Sequence, residues 1–277
     1  MTTATWHDQW SQIDRSTDPA WFIRFLDASR KRLLEMARSN PVAFYPWARP
    51  GMHVLDVGCG TGDLLHPLAP LLGDAGKITA LDLSVTLIAE ARRRAAAAGV
   101  QISFDAGNAT SLPYADQSFD VVTANLLLQH LPDPQPALAE MVRVLRPGGS
   151  LLIVEQDWDT LLIDHSDRPL TRRIGTFFCD AVPNGWIGRQ LPAQFKRAGL
   201  ENCTLVGNHQ AFSAEEWLDP AMGLVQIAVR AEVAGVITSE ERARWDAEIA
   251  ARLKDGTFHS GFTMFRASAT RPASGIH

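Results

Sequence analysis

The stretch Val54-Leu55-Asp56-Val57-Gly58-Cys59-Gly60-Thr61-Gly62 restricts the possible folds more than any other part of the chain. Its apolar half reads as a parallel strand covered on both faces, which favours a nearly continuous hydrophobic run. The strand then enters a glycine-rich turn. Without a Cβ, Gly58, Gly60 and Gly62 can take positive φ and let a ligand lie against bare backbone, while the next helix offers unpaired amide N–H groups. A cofactor is therefore expected here. Asp56 stands out, because a carboxylate at the end of a buried strand is costly unless it meets a donor; the turn amides or a cationic ligand could supply one. Nicotinamide-, flavin- and other nucleotide-binding sheets use such a turn too, so the rest of the chain must discriminate.

Further along, strands and helices alternate. Residues 61–72 read as a first helix and 77–83 as a second buried strand ending in an acid. Asp82 lies 20 residues beyond Gly62, a spacing that suits a carboxylate accepting from two ribose hydroxyls. Ser84 caps a helix stopped by Gly99, and strands follow at 100–104, 118–125 and 150–154, with a helix at 134–145 before the last. This rhythm predicts an α/β protein with a doubly wound, mostly parallel sheet.

At 277 residues the chain can form one large domain, or one domain with an accessory cap. The expected division is a helical cap over 1–50 and a main domain over 51–277, with lid insertions near 159–187 and 213–255, the second carrying two helices at 215–233 and 240–253. The cap carries Trp6, Trp10, Trp21, Phe22, Phe25, Phe44, Tyr45 and Trp47, and Asp18-Pro19 is a good helix start. These aromatics pack as core or form a lid over a ligand, with Trp10 and Phe25 as candidate substrate contacts. A net charge of −5 with scattered basic residues gives no reason to expect nucleic acid, so a small-molecule partner is the better expectation. The three cysteines are too far apart for a zinc site, and no metal is expected. No apolar run reaches the ~18 to 20 residues that span a bilayer, and no signal-peptide core is seen, which suggests a cytoplasmic protein, a monomer or homodimer, without a membrane partner.

Five later segments sharpen the reading: Asp82-Leu83-Ser84, Leu112-Pro113, Ser118-Phe119-Asp120-Val121-Val122, Gln129-His130-Leu131-Pro132-Asp133-Pro134 and Leu145-Arg146-Pro147-Gly148-Gly149. With the opening turn, they resemble the class I S-adenosylmethionine-dependent methyltransferases, in the branch of ubiquinone/menaquinone-biosynthesis and small-molecule natural-product enzymes. The resemblance covers about 50–158. It implies a seven-stranded Rossmann-like sheet, S-adenosylmethionine as cofactor, and a seventh strand antiparallel beside the fifth. By the same resemblance Asp56, Gly58, Cys59, Gly60 and Gly62 lie by the methionine part, Asp82 binds the ribose and Leu83 packs on the adenine. Asn108, with Ala109 beside it, stands where the family usually has an acid that accepts from the adenine amino group. Asn108 can still accept through its carbonyl. Asn125 and Leu126 match positions facing the sulfonium end.

The acceptor is expected over strands four and five, outside the carboxyl ends of the sheet. Asp157 and His130 are candidate proton-moving groups, although Asp157 suits a strand-end cap equally. Trp158 is a candidate stacking surface. Arg189 is read first as an ion-pair partner of Asp157, otherwise as a contact for an anionic substrate. His7, His165, His209 and His259 are weaker candidates for a general base. The expected activity is methylation of an O, N or activated C of a small, aromatic or natural-product acceptor. The alternative is a cyclase or decarboxylase that keeps the cofactor without methylating.

Overall fold

The computed structural model describes residues 10–219 and 224–273; Trp6 and His7, read above as a cap aromatic and a candidate base, lie outside the described residues. Seven strands form one sheet in the order β3-β2-β1-β4-β5-β7-β6: β1 (His53–Val57), β2 (Lys77–Asp82), β3 (Ser103–Ala106), β4 (Phe119–Asn125), β5 (Leu145–Ile163), β6 (Glu201–Phe212) and β7 (Ser260–Thr270). The first five run parallel, and β7 is antiparallel to both β5 and β6. The helices are α1 (Pro19–Ser39), α2 (Pro41–Phe44), α3 (Ala69–Leu72), α4 (Val85–Ala98), α5 (Gln135–Val144), α6 (Arg168–Asp180), α7 (Ile187–Arg197), α8 (Ala214–Leu218), α9 (Ile227–Val233) and α10 (Ser239–Lys254).

Three elements depart from the sequence expectation. The helix anticipated at 61–72 is a short 3₁₀ turn at Asp63–Leu65 followed by the single turn of α3. Pro67 and Pro70 lack the N–H groups that a continuous helix needs. The fifth strand is not confined to 150–154 but runs from Leu145 to Ile163, because β7 pairs with it as far as Ile163. One helix was also expected from 215 to 233, where α8 and α9 stand apart.

Alternation along the strands divides the core. Leu55, Val57, Val122, Leu151 and Ile153 pack with Leu138 and Met141 of α5 and Leu191 and Phe195 of α7. Val54, Ile78, Ala80 and Val121 pack with Leu72 of α3 and Ile88 and Ala91 of α4. The expected lid segments gather in a third apolar cluster, where Trp158, Phe178, Trp217, Trp245 and Phe262 are buried. The cap helix starts as anticipated, with Asp18 accepting from Trp21 N at 3.1 Å. It is tied to the main domain by Arg94, which reaches Asp27 at 2.6 Å and Asp63 at 2.7 Å.

Candidate active site

The turn after β1 takes the backbone shape its glycines allow, with φ of +77° at Gly58 and +58° at Gly60. A side chain at Gly60 would place its Cβ 3.0 Å from Arg30 Nη1 and 3.1 Å from Leu26 Cδ1. The missing Cβ thus lets α1 close over the turn. Gly62 serves packing instead, since a Cβ there would stand 2.8 Å from the Phe104 ring.

Asp82, rather than Asp56, organises the turn. Its Oδ2 accepts from Gly60 N at 2.8 Å and its Oδ1 from Ser84 N at 3.0 Å, so one carboxylate joins the glycine turn to the start of α4. Asp56 lies behind the turn, accepting from Thr123 Oγ1 at 2.6 Å and from Asn125. Burial pushes its carboxyl up to about 6. Burial also raises Asp82, against the pull of its two backbone donors and Arg30.

Two cap residues escaped the sequence reading. Arg30 donates from Nη1 to Cys59 O at 3.2 Å, and its charge favours the ionised forms of Asp56 and Asp82. Its spacing from Leu26 on α1 was a usable signal, because residues four apart share a helical face. Asp14 accepts from Ser84 Oγ at 2.7 Å and from Val85 N and Thr86 N at 3.0 Å each. It therefore caps α4 from another part of the chain.

One continuous cavity joins this turn to the aromatic cluster. Of the residues singled out from sequence, Gly58, Gly60, Asp82, Leu83, Asn108, Ala109, Leu126, His130, Trp158, Trp10 and Phe25 all line it. Arg30 lines it too, and Phe178, Phe212, Phe262 and Met264 complete the far wall. Asp56, Cys59, Gly62 and Asn125 do not; they support the turn from behind. Burial drives the Cys59 thiol well above its ordinary range, leaving it neutral.

Asp157 and Arg189 are also outside the cavity. Gln156 and Trp158 face the cavity, and strand alternation turns Asp157 away. There Asp157 is fully buried and paired with Arg189, which bonds Oδ1 through Nη2 at 2.7 Å and Oδ2 through Nε. Arg189 also reaches Asp159 at 3.1 Å. This places Asp157 away from acceptor chemistry and Arg189 away from an anionic substrate. Of the remaining histidines, His165 stacks on Trp245 and accepts from Asp167 N at 2.9 Å, while His209 lies beside His259 at 5.6 Å. None of the three lines the cavity.

Asn108 departs from the expected polarity. Its Oδ1 already accepts from Thr110 N and Thr110 Oγ1, both at 3.0 Å, so the amide presents its donor, not its carbonyl, to a ligand. Asn108→Asp should keep the Thr110 bonds on one oxygen and offer the second as an acceptor. A rise of about fivefold in affinity for an adenine nucleoside ligand is expected in a calorimetric titration, equivalent to about 1 kcal/mol for one added hydrogen bond. Unchanged or weaker binding would show that Asn108 does not meet the adenine edge.

Comparison with known proteins identifies the family and the fold. A family model described as a methyltransferase domain matches residues 48–210, more than half of the chain. An uncharacterised 37.1 kDa protein of a Streptomyces fradiae transposon is 36% identical over 219 residues, 79% of this chain and 62% of that protein. A demethylmenaquinone methyltransferase of Renibacterium salmoninarum is 46% identical over 109 residues, 39% of this chain and 43% of its own length. The chain thus spans less than two thirds of the length of these curated relatives. Among solved structures, YcgJ of Bacillus subtilis shares the fold at 18% identity and a TM-score of 0.58, covering 88% of this chain and 98% of its own. The [4+2]-cyclase SpnF does so at 24% identity and a TM-score of 0.51, covering 88% and 81%.

Proposed function

Because the chain belongs to the class I S-adenosylmethionine-dependent methyltransferases, we propose that it methylates a small, uncharged, apolar acceptor carrying an aromatic ring. The observation that carries this reading is the single cavity running from the Asp82 turn to Trp158, Phe178, Phe212 and Phe262. Among the described residues, its ionisable lining is Arg30, Arg32, Asp82, His130 and Glu216. Arg30 and Asp82 sit at the glycine turn. Arg32 and Glu216 stand by the 211–216 edge, where Arg32 donates to Ala211 O at 3.3 Å and Glu216 accepts from Ser213 N at 2.7 Å. A charged acceptor would lose its hydration at the aromatic end without a committed counter-ion, a cost of several kcal/mol. Relatives named for C-methylation in ubiquinone/menaquinone biosynthesis support an aromatic carbon as the methylated atom.

The residues fit the cofactor. Gly58 and Gly60 present bare backbone to the cavity, and Asp82 keeps lone pairs for the ribose hydroxyls beyond those its amides use. Arg30 suits the carboxylate of the amino-acid part. When bound, S-adenosylmethionine supplies an electrophilic methyl on a cationic sulfur. The chain's own part is to align the acceptor, exclude water with the α1 cap, and receive the proton that the acceptor gives up. His130 is assigned that last role. It faces the cavity with its ring 5.3 Å from Trp10. No helix of the described residues is long and apolar enough to cross a membrane.

The test is transfer of labelled methyl from S-adenosylmethionine across paired acceptor sets. Neutral phenols and hydroxyquinones should be methylated, and matched amino acids, phosphoamines and aromatic carboxylates should not. Turnover confined to the charged set would reject the neutral-acceptor reading, and cofactor binding without turnover on either set would reject methyl transfer.

A further inference from the structure

Gln129 is buried, 2% exposed, yet it lines the cavity. Its Oε1 accepts from Trp158 Nε1 at 3.0 Å. An indole N–H can only donate, so the oxygen of the amide must face Trp158 and the NH₂ must face the other way. Among the described residues, none accepts from that NH₂. That NH₂ is not among the buried polar atoms left without a partner, so it opens onto the cavity, where an acceptor oxygen of a ligand can take its hydrogen bond in place of solvent.

The backbone around it is fixed from three sides. Leu126 turns the chain with φ of +57°, and Leu126 N bonds Val154 O at 2.8 Å. The buried carboxyl of Glu155 accepts from Leu128 N at 2.6 Å. From the connection between α6 and α7, Asn184 N donates to Gln129 O at 3.0 Å and Asn184 Nδ2 to Leu131 O. Trp158 is held in turn, with its own N bonded to Gly185 O at 2.7 Å. A long flexible amide is thereby set in one orientation before any ligand arrives, and little entropy remains to be lost on binding.

We infer that Gln129 is a specificity-determining donor whose Nε2 binds an oxygen of the acceptor molecule, so that the acceptor must carry a carbonyl, enol or phenol oxygen on its apolar frame. The inference rests on the neutral-acceptor reading above and narrows it. Ring systems of the right shape that lack such an oxygen fill the same chamber without satisfying the amide. His130, the next residue along the chain, lines the same cavity, so the donor and the proton acceptor are carried on one clamped loop.

The test uses the S-adenosylhomocysteine-loaded protein and two probes of nearly identical shape, 2-acetylnaphthalene and 2-isopropenylnaphthalene, titrated by quenching of tryptophan fluorescence. The ketone should bind about tenfold more tightly than the alkene, equivalent to 1.4 kcal/mol. Gln129→Leu should abolish the preference by weakening the ketone alone. Gln129→Glu, which keeps the bond from Trp158 but presents an acceptor in place of the donor, should abolish it as well. Both variants should keep the parent's affinity for S-adenosylhomocysteine, which shows that they are folded. Equal binding of the two probes by the parent protein, or equal weakening of both in Gln129→Leu, overturns the inference. So does failure of both probes to bind while S-adenosylhomocysteine binds. Loss of S-adenosylhomocysteine binding by the parent would instead overturn the methyltransferase reading beneath it.

Discussion

Replacing Asp82 with alanine is expected to weaken S-adenosylhomocysteine binding by about 100-fold or more. Two effects act together. The carboxylate offers charge-assisted acceptors to the ribose hydroxyls, each contributing about 1.5–3 kcal/mol, and two such bonds correspond to two to four decades in Kd. The same carboxylate fixes Gly60 N and Ser84 N, so its loss also frees the glycine turn on which the ligand rests. Asp82→Asn separates the two effects: one carbonyl oxygen remains for a backbone amide, and a loss of about tenfold is expected. Calorimetric titration of both variants reads the difference. If Asp82→Ala binds within threefold of the parent, the ribose does not rest on this residue.

Arg189→Ala should act on stability and not on the site. It leaves Asp157 fully buried without its partner, and breaking a buried pair from one side typically costs 3–5 kcal/mol. Arg189 is itself 39% exposed, and solvent can reach part of the space it vacates, so a loss of about 2–3 kcal/mol is the expected value. Thermal denaturation should show a fall of several degrees. The affinity of the folded fraction for cofactor and acceptor should stay within twofold of the parent. Replacing both residues with leucine should recover most of the lost stability, because two well-packed apolar groups avoid the desolvation penalty. A selective rise in acceptor KM in Arg189→Ala, with unchanged melting, would return Arg189 to the substrate site.

These two residues show where the sequence could be read and where it could not. Asp82 was singled out by its spacing from the glycine turn, and the parallel pairing of β1 with β2 brings the two to adjacent strand ends even though the helix expected between them is broken. Asp157 was not, because which way a strand-end residue points depends on register. The extension of β5 against β7 kept the alternation going past Glu155 and turned Asp157 inward while Gln156 and Trp158 faced the cavity. Asp56 was misread for a related reason. Its place beside the turn suggested that it bonds the turn amides, yet its partner is Thr123 on the neighbouring strand, a contact set by sheet pairing.

The N-terminal segment gave a different kind of miss. Its aromatics were visible, and Trp10 and Phe25 do line the cavity, but the polar residues that dock it were passed over. Asp14 caps α4 from 70 positions away, and no local pattern announces such a cap. Arg30 sits on an otherwise apolar helical face, which was legible as an anomaly. Asn108 was legible too: Asn108-Ala109-Thr110 has the short side-chain-to-backbone turn typical of Asn, and that turn uses up the carbonyl expected to meet the adenine.

The central claim is that the glycine turn and the aromatic chamber are two ends of one site, with the reactive sulfur between them. A crystal structure of the protein with S-adenosylhomocysteine measures this most directly. The ribose hydroxyls should lie within hydrogen-bond distance of Asp82, and the sulfur should face the space bounded by Gln129, His130 and Trp158. A ligand seated on Asp82 with its sulfur turned toward a closed wall, or bound away from Gly58 and Gly60 altogether, would contradict it.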